Sequence, residues 1–248
     1  MKSKIGLLAL MVGMLIVVGS SCMVVEAGIA VSGDLTYSVQ NPAGLSGLVT
    51  PEFAMKLRIM SENSQQYLFS YAEPDYGTGA GLIHFSWQDA ERQFTYAVAK
   101  ELVESADIGI ALHYISYPEV EDKYISTDLG LQLNFDELSW LRFGLLAENF
   151  VHLKLGETEA DLPTNITVGV AVDLAGWGVV TADLYDAWDT NSARNLKVGA
   201  EFYPIDSLTL RARWSGDLGL GIGYKHQQLR IDYDWSAGDH QLGFGWQF

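Results

Sequence analysis

Leu242-Gly243-Phe244-Gly245-Trp246-Gln247-Phe248 puts Leu, Phe, Trp and Phe on one side of an extended chain and Gly, Gly and Gln on the other. Side chains of a strand point alternately to two faces, so this segment has one large apolar face and one small or polar face. In a transmembrane barrel those faces meet lipid and lumen. In a soluble sheet the same strand would be an aggregation-prone edge, although a soluble sandwich whose last strand ends on Phe is a competing reading of these seven residues.

The opposite end of the chain agrees with export. Met1 to Lys4 carries two lysines, Ile5 to Val18 is almost wholly apolar, and Val25-Glu26-Ala27 offers small residues before Gly28. This is the pattern of a removable signal peptide over 1–27; its apolar core falls short of the roughly twenty residues a spanning helix needs. Cys22, the single cysteine, follows Gly19-Ser20-Ser21, a stretch with the small residues of a lipidation site but Gly where Leu is usual. Cleavage after Ala27 leaves a chain without cysteine, which excludes disulfides and thiol chemistry.

The formal net charge is −16 over 248 residues. Removing 1–27 takes away two lysines and one glutamate, leaving thirteen basic and thirty acidic residues. Such a chain has no basic excess with which to displace counterions, so a nucleic-acid partner is not expected. Despite that charge, 48% of residues are hydrophobic and 12% aromatic, with 25 glycines and 6 prolines. Aromatics for two interfaces and small residues for an interior are what a membrane barrel requires. No linker or low-complexity block divides the chain.

Alternation predicts fourteen strands: Phe53 to Met60, Gln66 to Ala72, Gly79 to Gln88, Arg92 to Lys100, Asp107 to Tyr117, Ser126 to Phe135, Trp140 to Glu148, Asn165 to Leu174, Trp177 to Tyr185, Asn195 to Tyr203, Ser207 to Trp214, Leu218 to Lys225, Gln228 to Trp235 and His240 to Phe248. Asn165 to Leu174 is the cleanest, with Ile166, Val168, Val170 and Val172 against Thr167, Gly169, Ala171 and Asp173. The fold class is therefore all-β, a transmembrane antiparallel barrel over 53–248, with 28–52 as a short N-terminal segment inside it. An even strand number and alternating short and long connections suit such a barrel. From the sixth strand onward the even-to-odd connections are the short ones, and Phe150 to Thr164 and Asp186 to Arg194 are the longest. The tight Asp89-Ala90-Glu91 turn falls on the side of the long connections, which leaves the count open by two at the N-terminal end.

Several segments resemble the outer-membrane fatty-acid transporter (FadL-like) superfamily, nearest to the branch that includes type IX secretion shuttle proteins and uncharacterised barrels. They are Gly199-Ala200-Glu201-Phe202-Tyr203-Pro204, Leu208-Thr209-Leu210-Arg211-Ala212-Arg213, Gly219-Leu220-Gly221-Ile222-Gly223-Tyr224 and Leu229-Arg230-Ile231-Asp232-Tyr233. Asn41-Pro42-Ala43-Gly44-Leu45 is similar to that superfamily's motif before the first strand. The resemblance implies a barrel in the outer membrane of a diderm bacterium that passively transfers small hydrophobic or amphipathic molecules. The alternative is a non-conducting docking or adaptor component of a secretion or envelope-assembly system. Members carry a longer glycine-rich luminal segment; here only Gly28 to Gln40 precedes the motif, which implies a small plug or none.

On the predicted lumen face, alternation gathers Arg58, Arg142, Lys197, Arg211, Arg213 and Arg230 with Glu201 and Asp232. These could be structural ion pairs, such as Glu201 with Arg211 or Arg213 and Arg230 with Asp232, or a ring that holds the carboxylate or phosphate of an amphipathic solute. Leu146 and Tyr185 are the only large apolar residues expected there. His84 with Ser86, or His113 with Asp128, fixes no nucleophile beside its base, so no enzyme is expected. No metal-ligand spacing and no cofactor motif is present. Trp87, Trp177, Trp214, Trp235 and Trp246 fall near strand ends, as an interfacial girdle would. Outer-membrane lipid is the expected surroundings, and the barrel-assembly machinery is expected to engage the strand ending at Phe248.

Overall fold

Alternating polarity resolves into fourteen antiparallel strands in a computed structural model that describes residues 28–31, 35–60, 64–88, 90–119, 121–156, 162–186 and 195–248. They are β1 (Glu52–Ile59), β2 (Gln65–Glu73), β3 (Ala80–Gln88), β4 (Arg92–Val103), β5 (Ala106–Tyr117), β6 (Asp122–Asn134), β7 (Leu141–Lys154), β8 (Asn165–Asp173), β9 (Gly178–Tyr185), β10 (Asn195–Ile205), β11 (Leu208–Trp214), β12 (Leu218–His226), β13 (Leu229–Ser236) and β14 (Asp239–Gln247). Each strand pairs with its neighbours in the chain, and β1 closes on β14 from Glu52 opposite Gln247 to Ile59 opposite His240. The signal-peptide reading of 1–27, Cys22 included, lies outside the described residues, as does most of the connection after Asp186.

Closure gives every strand an inside and an outside. Met55, Phe69, Phe85, Ile110, Val168, Ile222 and Phe244 point outward and are exposed on all sides of the ring. Trp140, Trp177 and Trp246 lie toward the rim where β1 begins and β14 ends; Trp87, Trp214 and Trp235 lie toward the other rim. An apolar band closed on itself between two aromatic rims matches hydrocarbon between two headgroup layers. The rim carrying Glu52 and Gln247 is called the terminal end below, and the opposite rim the far end.

The segment from Gly28 to Gly47 occupies the lumen on the terminal side. It forms one helical turn at Leu35–Ser38 and a 3-10 turn at Pro42–Gly47. Ile29, Ala30, Leu35, Asn41, Ala43 and Leu45 are buried. Around them the wall of β1 to β5 is almost stripped of side chains: Ala54, Ala72, Ala80, Ala97, Ala99 and Ala111 pack with Leu35, Leu45 and Leu48. Farther round, Gly109, Gly130, Gly144 and Gly169 face the plug so closely that a Cβ on any of them would meet Pro42, Asn41, Ile29 or the Asp183 carboxylate beside it. The plug is small, as the short segment before the motif implied, and the wall itself is carved back to fit it.

The Asn-Pro-Ala-Gly-Leu motif has a definite task in that packing. Asn41 caps the 3-10 turn by accepting from the Ala43 amide (3.1 Å), and its Nδ2 donates to the Ile29 carbonyl (2.7 Å). Pro42 occupies the first position of the turn, where no amide hydrogen is needed. One side chain thus ties the two halves of the plug together. Gln132 of β6 adds bonds from Nε2 to the carbonyls of Ile29 (2.8 Å) and Val31 (2.9 Å).

β4, β6, β7 and β10 each run at least two residues past a predicted boundary. β7 continues to Lys154 rather than stopping at Glu148, because a bulge at Glu148-Asn149-Phe150 shifts the register from Leu129 opposite Ala147 to Thr127 opposite Val151. Asn149 takes φ +52° there, and its amide donates to Asp128 Oδ1 (2.8 Å). β6 correspondingly begins at Asp122, not Ser126. β10 passes through Pro204 to Ile205 at a register irregularity, the position at which a strand tolerates a residue without an amide hydrogen.

Three substitutions test this division of faces. Gly144→Ala would put a Cβ 2.6 Å from the Ile29 carbonyl oxygen, whereas Gly81→Ala meets nothing within 4 Å; the first is expected to cost about 1–3 kcal/mol as an overpacking change and the second under about 0.5 kcal/mol, read as urea unfolding from lipid vesicles. Ile222→Arg, at the middle of an outward face, is expected to cost about 2–4 kcal/mol in the same assay; an unchanged midpoint would contradict the hydrocarbon surroundings.

Candidate functional site

Above the plug, toward the far end, the lumen widens into a cavity of about 540 Å³. Ile29, Val39 and Gln40 of the plug form its floor, and Leu68, His84, His113, Leu146, Glu148, Thr167, Tyr185 and Lys197 are among its walls. Its polar groups are held in fixed pairs. Ser70 Oγ and His84 Nδ1 share a hydrogen bond of 2.7 Å, and Gln66 Nε2 donates to Ser86 Oγ at 2.9 Å. His113 Nε2 lies 2.8 Å from Asp128 Oδ2 while its Nδ1 meets Thr95 Oγ1 (2.8 Å) and Gln93 Nε2 (2.9 Å). Lys197 Nζ sits 4.3 Å above the Tyr185 ring, whose hydroxyl accepts from Asn165. Fixed polar groups between apolar patches make a site that can orient a small amphipathic molecule.

The Ser70–His84 pair resembles half of a nucleophilic constellation, but among the described residues no carboxylate is bonded to His84 to orient it. The acid that does meet a histidine, Asp128, belongs to His113 instead. The geometry of an acyl-transfer site is therefore not assembled here.

On the other side of the plug, β10 to β14 and β1 carry a ladder of charges. Arg211 Nε donates to Glu201 Oε1 (2.7 Å) and its Nη2 to Asp232 Oδ1 (2.6 Å). Arg230 Nε lies 3.0 Å from Asp232 Oδ2, and its Nη2 lies 3.1 Å from Glu52 Oε1. Arg213 reaches Asp234 at 3.7 Å. Arg211 and Arg213 stand on β11 while their aspartates stand on β13, so both must cross β12. They can do so because β12 offers Gly219, Gly221 and Gly223: a Cβ on Gly219 would lie 2.7 Å from Arg213 Nε, and one on Gly223 3.0 Å from Arg211 Nη2. The glycine repeat is a bare floor over which two guanidinium groups lie. A second cavity of about 270 Å³ opens beside the ladder, with Lys225 and Gln228 at its edge.

Of the candidate residues, the structure brings Glu201, Arg211, Arg213, Arg230 and Asp232 together in that ladder. Lys197 stands apart in the far cavity. Arg58 pairs with Asp239 (2.7 Å) near the far rim, and Arg142 lies on β7 opposite Asn134 and Ala171. Asn41, Pro42, Ala43, Gly44 and Leu45 form the plug turn. The arginines of the ladder already face carboxylates, so an incoming anion would have to compete with Glu201 and Asp232 for them.

Sequence reasoning missed much of the far cavity. Gln66, Leu68, Gln93 and Thr95 are inward residues of strands that show outward aromatics. The expectation that Leu146 and Tyr185 are the only large apolar residues inside is corrected, since Leu68, Leu82, Ile115 and Tyr124 also face inward. The signal was present: each lies one residue from an outward-facing Tyr67, Ile83, Phe94, Tyr114 or Ile125 of its own strand.

No protein-family model matches the chain, and no curated protein matches it. Among solved structures it is similar to the P. putida toluene transporter TodX, with a TM-score of 0.62 and 12% identity over 93% of this chain and 96% of that one. It is also similar to the CymD monoaromatic hydrocarbon channel, with a TM-score of 0.62 and 11% identity over 89% of this chain and 94% of that one. At such identities the likeness is one of fold: this chain is a closed fourteen-stranded antiparallel barrel of the kind those channels share.

Proposed function

We propose that the protein is an outer-membrane channel of the FadL-like kind that passes small hydrophobic or amphipathic molecules. The terminal end then faces the periplasm and the far end the outside, which puts the connection 155–164 at the cell surface, where longer loops belong. The observation that carries the reading is the far cavity: about 540 Å³ of mixed lining, open on the outer side of a plug that fills the opposite half. Solute would enter between Leu68, Leu146 and Tyr185, with its polar group against the paired histidines or Lys197. The charged ladder then serves to stiffen the wall against which the plug and solute rest. The printed functions of TodX and CymD, a toluene transporter and a monoaromatic hydrocarbon channel, lend support to a solute of that size. Outer-membrane lipid surrounds the barrel in this reading, and the barrel-assembly machinery inserts it through β14.

Hydrocarbons dissolve directly in phospholipid, so the test belongs in intact cells of a diderm host, whose outer leaflet slows apolar entry. Uptake of radiolabelled benzyl alcohol is expected to rise on expression of the wild-type barrel and to fall back toward the empty-vector rate in Leu146→Trp and Thr167→Trp, which fill the cavity from two walls. Wild-type barrel that is present in the membrane, heat-modifiable on gels and without effect on uptake would overturn the channel reading. Co-purification of such a sealed barrel with envelope proteins would favour the adaptor.

A further inference from the structure

We infer that signal-peptide removal builds the anchor of the plug: the α-ammonium group of Gly28 in the processed chain is the counter-ion of Asp183 inside the barrel. Gly28 N lies 2.6 Å from Asp183 Oδ2, and Ile29 N lies 3.4 Å from the same oxygen. Asp183 is 1% exposed, and its second oxygen, Oδ1, has no hydrogen-bond partner. A buried carboxylate with one idle oxygen and no cation bonded to it is costly.

The cation nearest in sequence register stands near Asp183 without bonding to it. Lys197 stands directly opposite Asp183 on β10, yet its ammonium lies over the Tyr185 ring, and no ion pair joins it to Asp183 among the described residues. Glu148, also on the cavity wall here, is a second carboxyl group and offers no positive charge. What does point at Asp183 is the nitrogen of Gly28. As a peptide nitrogen it has one hydrogen to give; as a terminal ammonium it has three and a full positive charge, enough to serve both carboxylate oxygens.

The sequence supplies the reaction that makes the change. Val25-Glu26-Ala27 is the cleavage pattern identified before Gly28. A signal peptidase hydrolyses the Ala27–Gly28 amide with one water: the C–N bond breaks, Ala27 leaves as a carboxylate, and Gly28 N takes up protons to become the ammonium. No oxidant or further reactant is needed. Gly169, beside Asp183 on β8, has no side chain to stand between: a Cβ there would collide with Asp183 Oδ1 and lie 2.6 Å from Ile29 Cγ1. The wall is thus shaped around both partners of the latch.

This inference rests on the signal-peptide reading and not on what the lumen conducts. Intact mass and terminal sequencing of protein purified from outer membranes are expected to place the mature start at Gly28. Acetylation of its α-amine by a water-soluble ester, followed by peptide mass spectrometry, is expected to be about tenfold or more slower in the folded barrel than in the unfolded chain. Asp183→Asn is expected to release that protection. Insertion of a serine between Ala27 and Gly28, which moves the ammonium one residue without touching the wall, is expected to release it too and covers the case in which Asp183→Asn fails to fold. A mature start elsewhere overturns the processing step. A start at Gly28 whose amine reacts equally fast in folded and unfolded protein, or as slowly after the insertion as before, overturns the latch alone.

Discussion

Hydrocarbon offers a peptide group no hydrogen-bond partner, so a sheet can lie in it only if both edge strands are satisfied. Here the eight residue pairs between β1 and β14 meet that demand. Once the ring is closed, each strand has no choice but to give alternate side chains to lipid and to the interior. The terminal segment from Leu242 to Phe248 follows this rule: its Leu, Phe and Trp lie on the outside, while Gly243 and Gly245 clear space inside for Lys56, Asp232 and Arg230.

The interior divides in two by a single property, side-chain size. From β1 to β8 alanines and glycines line the terminal half of the wall where it meets the plug, which fills the room they leave. From β10 to β14 long charged residues on β10, β11 and β13 lie over the inward glycines of β12 and β14 and fill their own side of the lumen by bridging across strands. Buried ion pairs of this kind contribute little net stability over apolar packing, but removing one partner leaves the other stranded. They hold a shape more than they add strength. The far cavity lies where neither filling reaches.

Much of this was legible in the sequence, and the reasons for the rest are specific. Alternation located all fourteen strands because lipid enforces it on the outward face; Asn165 to Leu174 reads as cleanly as any. It failed at Glu148-Asn149-Phe150, where a bulge interrupts the period, and at Pro204, where the strand survives a residue that usually ends one. The pairing of Glu201 with Arg211 is a matter of cross-strand register and could be read directly. The pairing of Arg211 with Asp232 spans two strands and needed the knowledge that nothing stands on β12 between them. The plug was harder still, since its partners are absences: glycines and alanines distributed over eight strands, each unremarkable alone. The sequence pattern of small inward residues was visible as a composition, but their shared tenant was not.

The plug is spliced to the seam. Leu48 belongs to the alanine-lined core, and four residues later Glu52 begins the strand on which β14 closes. A tether that short keeps Leu35 and Leu45 next to the closing strand, so the occupant of the lumen and the strand that shuts the ring are one continuous stretch of chain.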